Sequence, residues 1–124
     1  MPSWPAAPTM AWSRTATPRQ SAYSTDEKGH SVAVFVVERR LPGMSLEHLA
    51  AAHRALAEGS RRLSSGDDRV RYLRSTFAPA RARCLCVFEA TSRDLVRRVN
   101  EVAQVPFVSI DEAIEFQDPG SGMP

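Results

Sequence analysis

Only two cysteines occur in this 124-residue chain, Cys84 and Cys86, and no second pair stands near them. Their C-x-C spacing is not the C-x-x-C of a zinc ribbon, so a closed four-cysteine site is excluded. Lys28 is the only lysine, and the arginines that supply the remaining basic charge are interspersed with Asp and Glu to leave a net charge of +2. Without a basic block the chain lacks the electrostatic footprint of a nucleic-acid binder. No apolar run is long enough to span a bilayer, and the N-terminal segment lacks the apolar core of a signal peptide. These absences place the protein in the cytoplasm and off the membrane. Also missing are a Ser-His-Asp arrangement, a glycine-rich phosphate loop and an H-E-x-x-H helix, so the residues name no reaction.

Acidic residues are absent before Asp26, where Pro2, Pro5, Pro8 and Pro18 are scattered among Ala, Ser and Thr. Residues 1–31 read as a disordered tail in which Trp4 and Trp12 have no periodic neighbour to pack against. Residues 117–124 read as a short flexible end. Between them, residues 32–116 form one domain, small enough that a single core is marginal alone, and oligomerisation is the simplest remedy.

Val32 to Val37 is apolar and mostly β-branched, which predicts a strand whose alternate positions fall on opposite faces. Val32, Val34, Val36 and Glu38 share one face; Ala33, Phe35, Val37 and Arg39 share the other. A strand apolar on both faces implies cover on both sides. Leu41, Pro42 and Gly43 break it, Ser45 is placed to cap a helix, and Leu46, Leu49, Ala50, His53, Leu56 and Ala57 follow at helical spacing, with Gly59 as its stop. The second half repeats the plan. Val70–Phe77 is a strand with Val70, Tyr72, Arg74 and Thr76 on one face and Arg71, Leu73, Ser75 and Phe77 on the other. Arg83–Phe88 pairs with it as a hairpin, Thr91 caps a second helix ended by Pro106, and Ser109–Phe116 is an edge strand. The order is the split βαβ plan of an α+β, ferredoxin-like βαββαβ sandwich: a four-stranded antiparallel sheet with helices on one face. The other face is then expected to close against a second copy in a homodimer.

Cys84 and Cys86 lie on one strand face with their sulfurs about 6–7 Å apart along it. Such a pair reads either as two small core hydrophobes or as half of a soft-metal site. An imidazole at His53, inside an apolar stripe, must be satisfied by a carbonyl or by an acid such as Glu38 or Glu89, or else bind a metal or move a proton. Glu38 and Arg39 end the first strand, where Tyr72, Arg74 and Glu89 would join them in a polar pocket or a salt-bridge network. His53, Cys86 and Glu38 are the candidate metal ligands.

The segments VERRLPGMSLEHLAAAHRAL, VRYLRSTF and RCLCVFEATSRDLVRRVNEVAQVPF resemble the family known as domain of unknown function 4242. Its best-known relatives are small nickel-binding proteins of actinobacteria with a ferredoxin-like dimeric fold. The resemblance implies nickel as the ion, with His53 in AAHRAL and Cys86 in CLCVFEA at matching positions. The second helix departs from the family's H-E-x-A-G-H-P reading, with Asn100 and Val105 where that reading has imidazoles. Three classes of function remain. One is a small dimeric protein binding a metal ion or small ligand through His53, Cys86 and Glu38. The second is an α+β barrel enzyme in which His53 or Tyr72 moves a proton in a cavity between sheet and helices. The third is an interaction module using the sheet face or the tail.

Overall fold

The β-branched run at the start of the domain forms the central strand, and its neighbours are arranged by which residues it must cover. A computed structural model describes residues 23–116. In chain order the elements are β1 (Ser24–Thr25), β2 (Ser31–Arg40), α1 (Leu46–Leu63), β3 (Val70–Ala78), β4 (Arg83–Ala90), α2 (Arg93–Val102) and β5 (Ser109–Ala113). All pairings are antiparallel: β3 with β4, β4 with β2, and β2 with β5. The resulting order β3-β4-β2-β5, with one helix after β2 and one after β4, is the ferredoxin-like arrangement. Among the described residues no helix is long and apolar enough to cross a membrane.

The sheet has five strands where the sequence predicts four. β1 pairs with Ser31 and Val32, so it continues the edge of β2 that β5 occupies further along. A turn held by its own side chain makes this possible. The Asp26 carboxylate accepts the backbone N–H groups of Lys28 at 2.9 Å and His30 at 2.7 Å, and Gly29 supplies the left-handed φ of 87°. Ser24 and Thr25, which fall within the expected tail to residue 31, thus pair with the sheet. Trp4, Trp12 and the expected flexible end, residues 117–124, lie outside the described residues.

Strand β2 alternates as its sequence predicts. Ala33, Phe35, Val37 and Arg39 are buried on the helix side, and Val34, Val36 and Glu38 are half-buried on the other. From β4 come Cys84, Cys86, Phe88 and Ala90, all buried on that same helix side. The helices close this face with Leu49 and Leu56 of α1 and Leu95, Val96 and Val99 of α2.

Four local details depart from the sequence reading. Helix α1 begins as expected, with Ser45 Oγ accepting the His48 N–H at 3.1 Å, but it runs through Gly59 to Leu63. Gly59 is a packing position on a helix, buried where α1 meets Val99 of α2. Ser92, not Thr91, caps α2 by accepting the Leu95 N–H at 3.1 Å, while the Thr91 hydroxyl accepts the Arg69 N–H at 3.0 Å. β5 ends at Ala113, leaving Ile114 and Phe116 exposed beyond it. The fourth departure matters most. A bulge between Tyr72 and Arg74 shifts the register of β3, so that Tyr72 stands opposite Phe88 and Ser75 opposite Cys86, on the helix side. One inserted residue exchanges the two faces beyond it, which puts Ser75 with the cysteines and turns Arg74 away.

A Cβ at Gly59 would meet Val99 Cγ1 at 3.5 Å, an ordinary contact. Replacing a mid-helix glycine whose site accepts a methyl group removes an entropic cost of roughly 0.5–1 kcal/mol. Gly59→Ala is therefore expected to raise the thermal midpoint, and a fall would show the helix–helix contact to be tighter than described.

Candidate metal site

Three donor atoms converge on the helix side of the sheet. The Sγ atoms of Cys84 and Cys86 are 3.8 Å apart, His53 Nε2 is 3.9 Å from Cys84 Sγ, and all three donors lie within 4.8 Å of one another. Strand β4 supplies the sulfurs from alternate residues, and α1 lays His53 over them. The sulfurs are closer than the 6–7 Å spacing expected of residues two apart on a strand. The two side chains lean toward each other along the strand, as the freedom at χ1 permits. Both cysteines are free thiols and both are buried, whereas His53 is half-buried.

Around these donors is a second layer. Tyr72 stacks on the His53 ring, with centroids 5.9 Å apart and planes 11° from parallel, and also packs against Phe88 in a tilted contact. The Tyr72 hydroxyl is 2.6 Å from Ser75 Oγ, and Ser75 in turn donates to Cys86 Sγ at 2.9 Å. Since the Ser75 proton is committed to sulfur, the Tyr72 O–H donates to Ser75. The result is a closed circuit through His53, Tyr72, Ser75, Cys86 and Cys84 that fixes both the ring plane and one sulfur.

Arg39 borders the group. It is the Cα partner of Cys84 across the β2–β4 ladder and is fully buried. Nη2 donates to Asn100 Oδ1 at 2.6 Å, and Nη1 donates to the carbonyls of Val105 at 3.3 Å and Pro106 at 3.2 Å. Asn100 Nδ2 donates to the Val96 carbonyl at 2.8 Å, so the amide is oriented from both sides. Asn100 and Val105, the positions where the family resemblance leads one to expect imidazoles, thus clasp a guanidinium here.

Burial pushes the His53 imidazole below its usual value, and the Arg39 charge pushes the same way. Burial also pushes the Cys84 thiol up, to about 12, with the neighbouring Cys86 adding to the rise and Arg39 opposing it. Tyr72 is raised, chiefly by burial. In the undisturbed group the Cys84 thiol is therefore held protonated, beside an imidazole whose charged form is disfavoured. The group becomes an anionic soft donor set when the thiols are deprotonated.

Of the expected ligands, His53 and Cys86 are brought together and Cys84 joins them. Glu38 is not brought in. It sits on the opposite face of β2, where its carboxylate accepts from Arg83 Nε at 3.0 Å. Glu89 is also on that face, 3.6 Å from Arg71, and Arg74 pairs there with Glu115. The polar residues expected to form one pocket or network are thus divided by the sheet. Sequence reasoning missed Ser75, hidden by the bulge, and the burial of Arg39, whose place at a strand end suggested exposure.

A family model described as "Nickel responsive protein SCO4226-like" matches residues 35–112. No curated protein matches the chain. Among solved structures, the crystal structure of SCO4226 from Streptomyces coelicolor A3(2) is similar with a TM-score of 0.60. The likeness covers 68% of this chain and 100% of that one at 24% sequence identity. At that identity the likeness shows the fold alone, and it agrees with the ferredoxin-like topology described above.

The burial of both thiols has a chemical consequence. At pH 8 both cysteines of the folded protein should be alkylated by iodoacetamide slowly, about a hundredfold or more below the rate in denaturant, because both sulfurs are shielded and the raised Cys84 thiol is not the nucleophilic thiolate. The same shift predicts a stability limit. A folded-state pKa raised from 9.0 to about 12 leaves the stability intact below pH 9 and erodes it as pH climbs toward 12. Alkylation equally fast with and without denaturant would contradict the burial of the pair.

Proposed function

Because the chain belongs to the SCO4226-like nickel-responsive family, we propose that it is a metal-binding protein that holds one transition-metal ion on His53, Cys84 and Cys86. The observation that carries the reading is the convergence of one imidazole nitrogen and two thiol sulfurs within 4.8 Å. Donor separation provides a test of fit. With metal–sulfur bonds of about 2.3 Å, a tetrahedral centre sets its sulfurs about 3.8 Å apart, a trigonal one about 4.0 Å and a right-angled one about 3.3 Å. The sulfur separation of 3.8 Å supports the first two. Imidazole is a donor that suits nickel, zinc and copper, and thiolate adds softness. Ser75 and Tyr72 are the orienting layer that such ligands ordinarily need. The bound ion would supply a Lewis-acidic centre with a position left for a further ligand.

Isothermal titration of the reduced, metal-free protein with Ni²⁺ and Zn²⁺ tests this. One ion per chain is expected, with affinity lost in His53→Ala and in the double variant Cys84→Ser with Cys86→Ser. Ser75→Ala should weaken binding by about tenfold without abolishing it. Silence toward both ions in the unmodified protein would return the three residues to core packing.

The proposal includes a homodimer closed through the sheet face that the helices leave bare. Val34, Val36, Leu85 and Val87 lie only half-buried at the centre of that face, and the Glu38–Arg83 and Arg71–Glu89 pairs lie at its margins. An apolar centre inside a polar rim is the anatomy of an interface. Light scattering after gel filtration is expected to give twice the chain mass at micromolar concentration, and Val36→Asp to give a folded monomer. A monomeric unmodified protein would overturn the dimer.

A further inference from the structure

Arg39 is 0% exposed, and no carboxylate among the described residues lies within ion-pair distance of it. Its three acceptors, the Asn100 amide oxygen and two backbone carbonyls, are all neutral, and its Nε–H has no acceptor. A buried charge met only by dipoles is costly to keep. The two thiols, which can become anions, lie on the same face of the sheet. Arg39 faces Cys84 directly across the β2–β4 ladder and shares its sheet face with Cys86. Opposed Cβ atoms in such a ladder are about 4.5–5.5 Å apart.

Counting charge in this enclosed region distinguishes the ions it would favour. Two thiolates and a neutral imidazole carry −2. A divalent ion cancels that and leaves the Arg39 charge unmatched, so the region as a whole is +1. A monovalent ion leaves the ligand set at −1, which Arg39 brings to zero. Softness admits monovalent copper but suits zinc as well, so the charge count is what separates the two. A donor set of only two sulfurs and one nitrogen is also complete for an ion content with three ligands.

We propose that Arg39 is a selectivity residue whose buried charge biases the His53–Cys84–Cys86 group toward a soft monovalent ion of the Cu(I) class over divalent ions. This rests on the metal-binding reading above and adds the class of ion to it. Asn100 contributes by holding the guanidinium in place without neutralising it, as an aspartate there would.

The test uses the full chain, reduced and anaerobic, titrated separately with Cu(I) and Zn²⁺ against competing chromophoric chelators. Arg39→Met removes the charge, Arg39→Lys keeps it, and Asn100→Asp sets a carboxylate on Nη2, which now donates to the Asn100 amide at 2.6 Å. The ratio of Cu(I) to Zn²⁺ affinity is expected to fall about tenfold or more in both Arg39→Met and Asn100→Asp, as the loss of a unit charge at this range implies, and to hold in Arg39→Lys. Circular dichroism establishes that each variant is folded, and Asn100→Asp decides if Arg39→Met is not. An unchanged ratio in the folded charge-neutralising variants overturns the selectivity role while leaving metal binding intact. Failure of the unmodified protein to bind either ion overturns both readings, so the two failures are distinct.

Discussion

The guanidinium of Arg39 is buried where β2, α2 and the connection to β5 meet, and the ends of all three are arranged to receive it. Nothing about a strand end requires a long cation to turn inward. Once it does, its donors must be met, and the chain meets them with the last buried position of α2 and with carbonyls exposed where that helix stops. Val105 N–H returns to the Asn100 carbonyl at 3.2 Å, and Gln104 takes a left-handed φ of 60°. The turn after α2 is thereby shaped around Arg39. A partner lost from such a site would leave a charge buried without compensation, which typically costs about 3–5 kcal/mol. The central ladder, the second helix and the electrical environment of the thiols therefore all depend on one side chain.

Against that fixed positive charge lies a group whose own charge can change. Burial raises the Cys84 thiol and lowers the His53 imidazole, which favours the uncharged form of each, and the group packs as a small polar core beside Phe88 and Tyr72. On the proposed reading, deprotonation would turn the same atoms into soft anionic donors. The stacked tyrosine and the serine hydrogen bond orient the imidazole ring and one sulfur. A scaffold that orients donors before the ion arrives loses less entropy on binding.

Much of the fold was legible in the sequence because it is written in periodicity. The doubly apolar β2, the Ser45 cap and the C-x-C strand each gave an element of the right kind in the right order. Features decided by tertiary contact were not legible. Gly59 carries the local signature of a helix end, yet it lies inside α1, buried where the helix packs on Val99 of α2. The two-residue β1 is too short to have a pattern and exists because Asp26 closes its turn. The candidate site was legible in His53 and Cys86 and partly in Cys84, whose neighbour sulfur is reached through side-chain rotation, not strand spacing. Ser75 was concealed by a bulge that no residue in VRYLRSTF announces. Glu38 fails to join the site for the simplest of reasons, since it is one residue away in sequence from Arg39 and therefore on the other side of the sheet.

The central claim is that one imidazole and two thiolates form a single metal centre. X-ray absorption spectroscopy of the protein loaded with one equivalent of Zn²⁺ reads the inner coordination shell directly. The account predicts two sulfur scatterers at about 2.3 Å and nitrogen or oxygen at about 2.0–2.1 Å, with the multiple-scattering pattern of a single imidazole. An inner shell made only of nitrogen and oxygen would contradict it, because the ion would then sit elsewhere and the cysteines would be core.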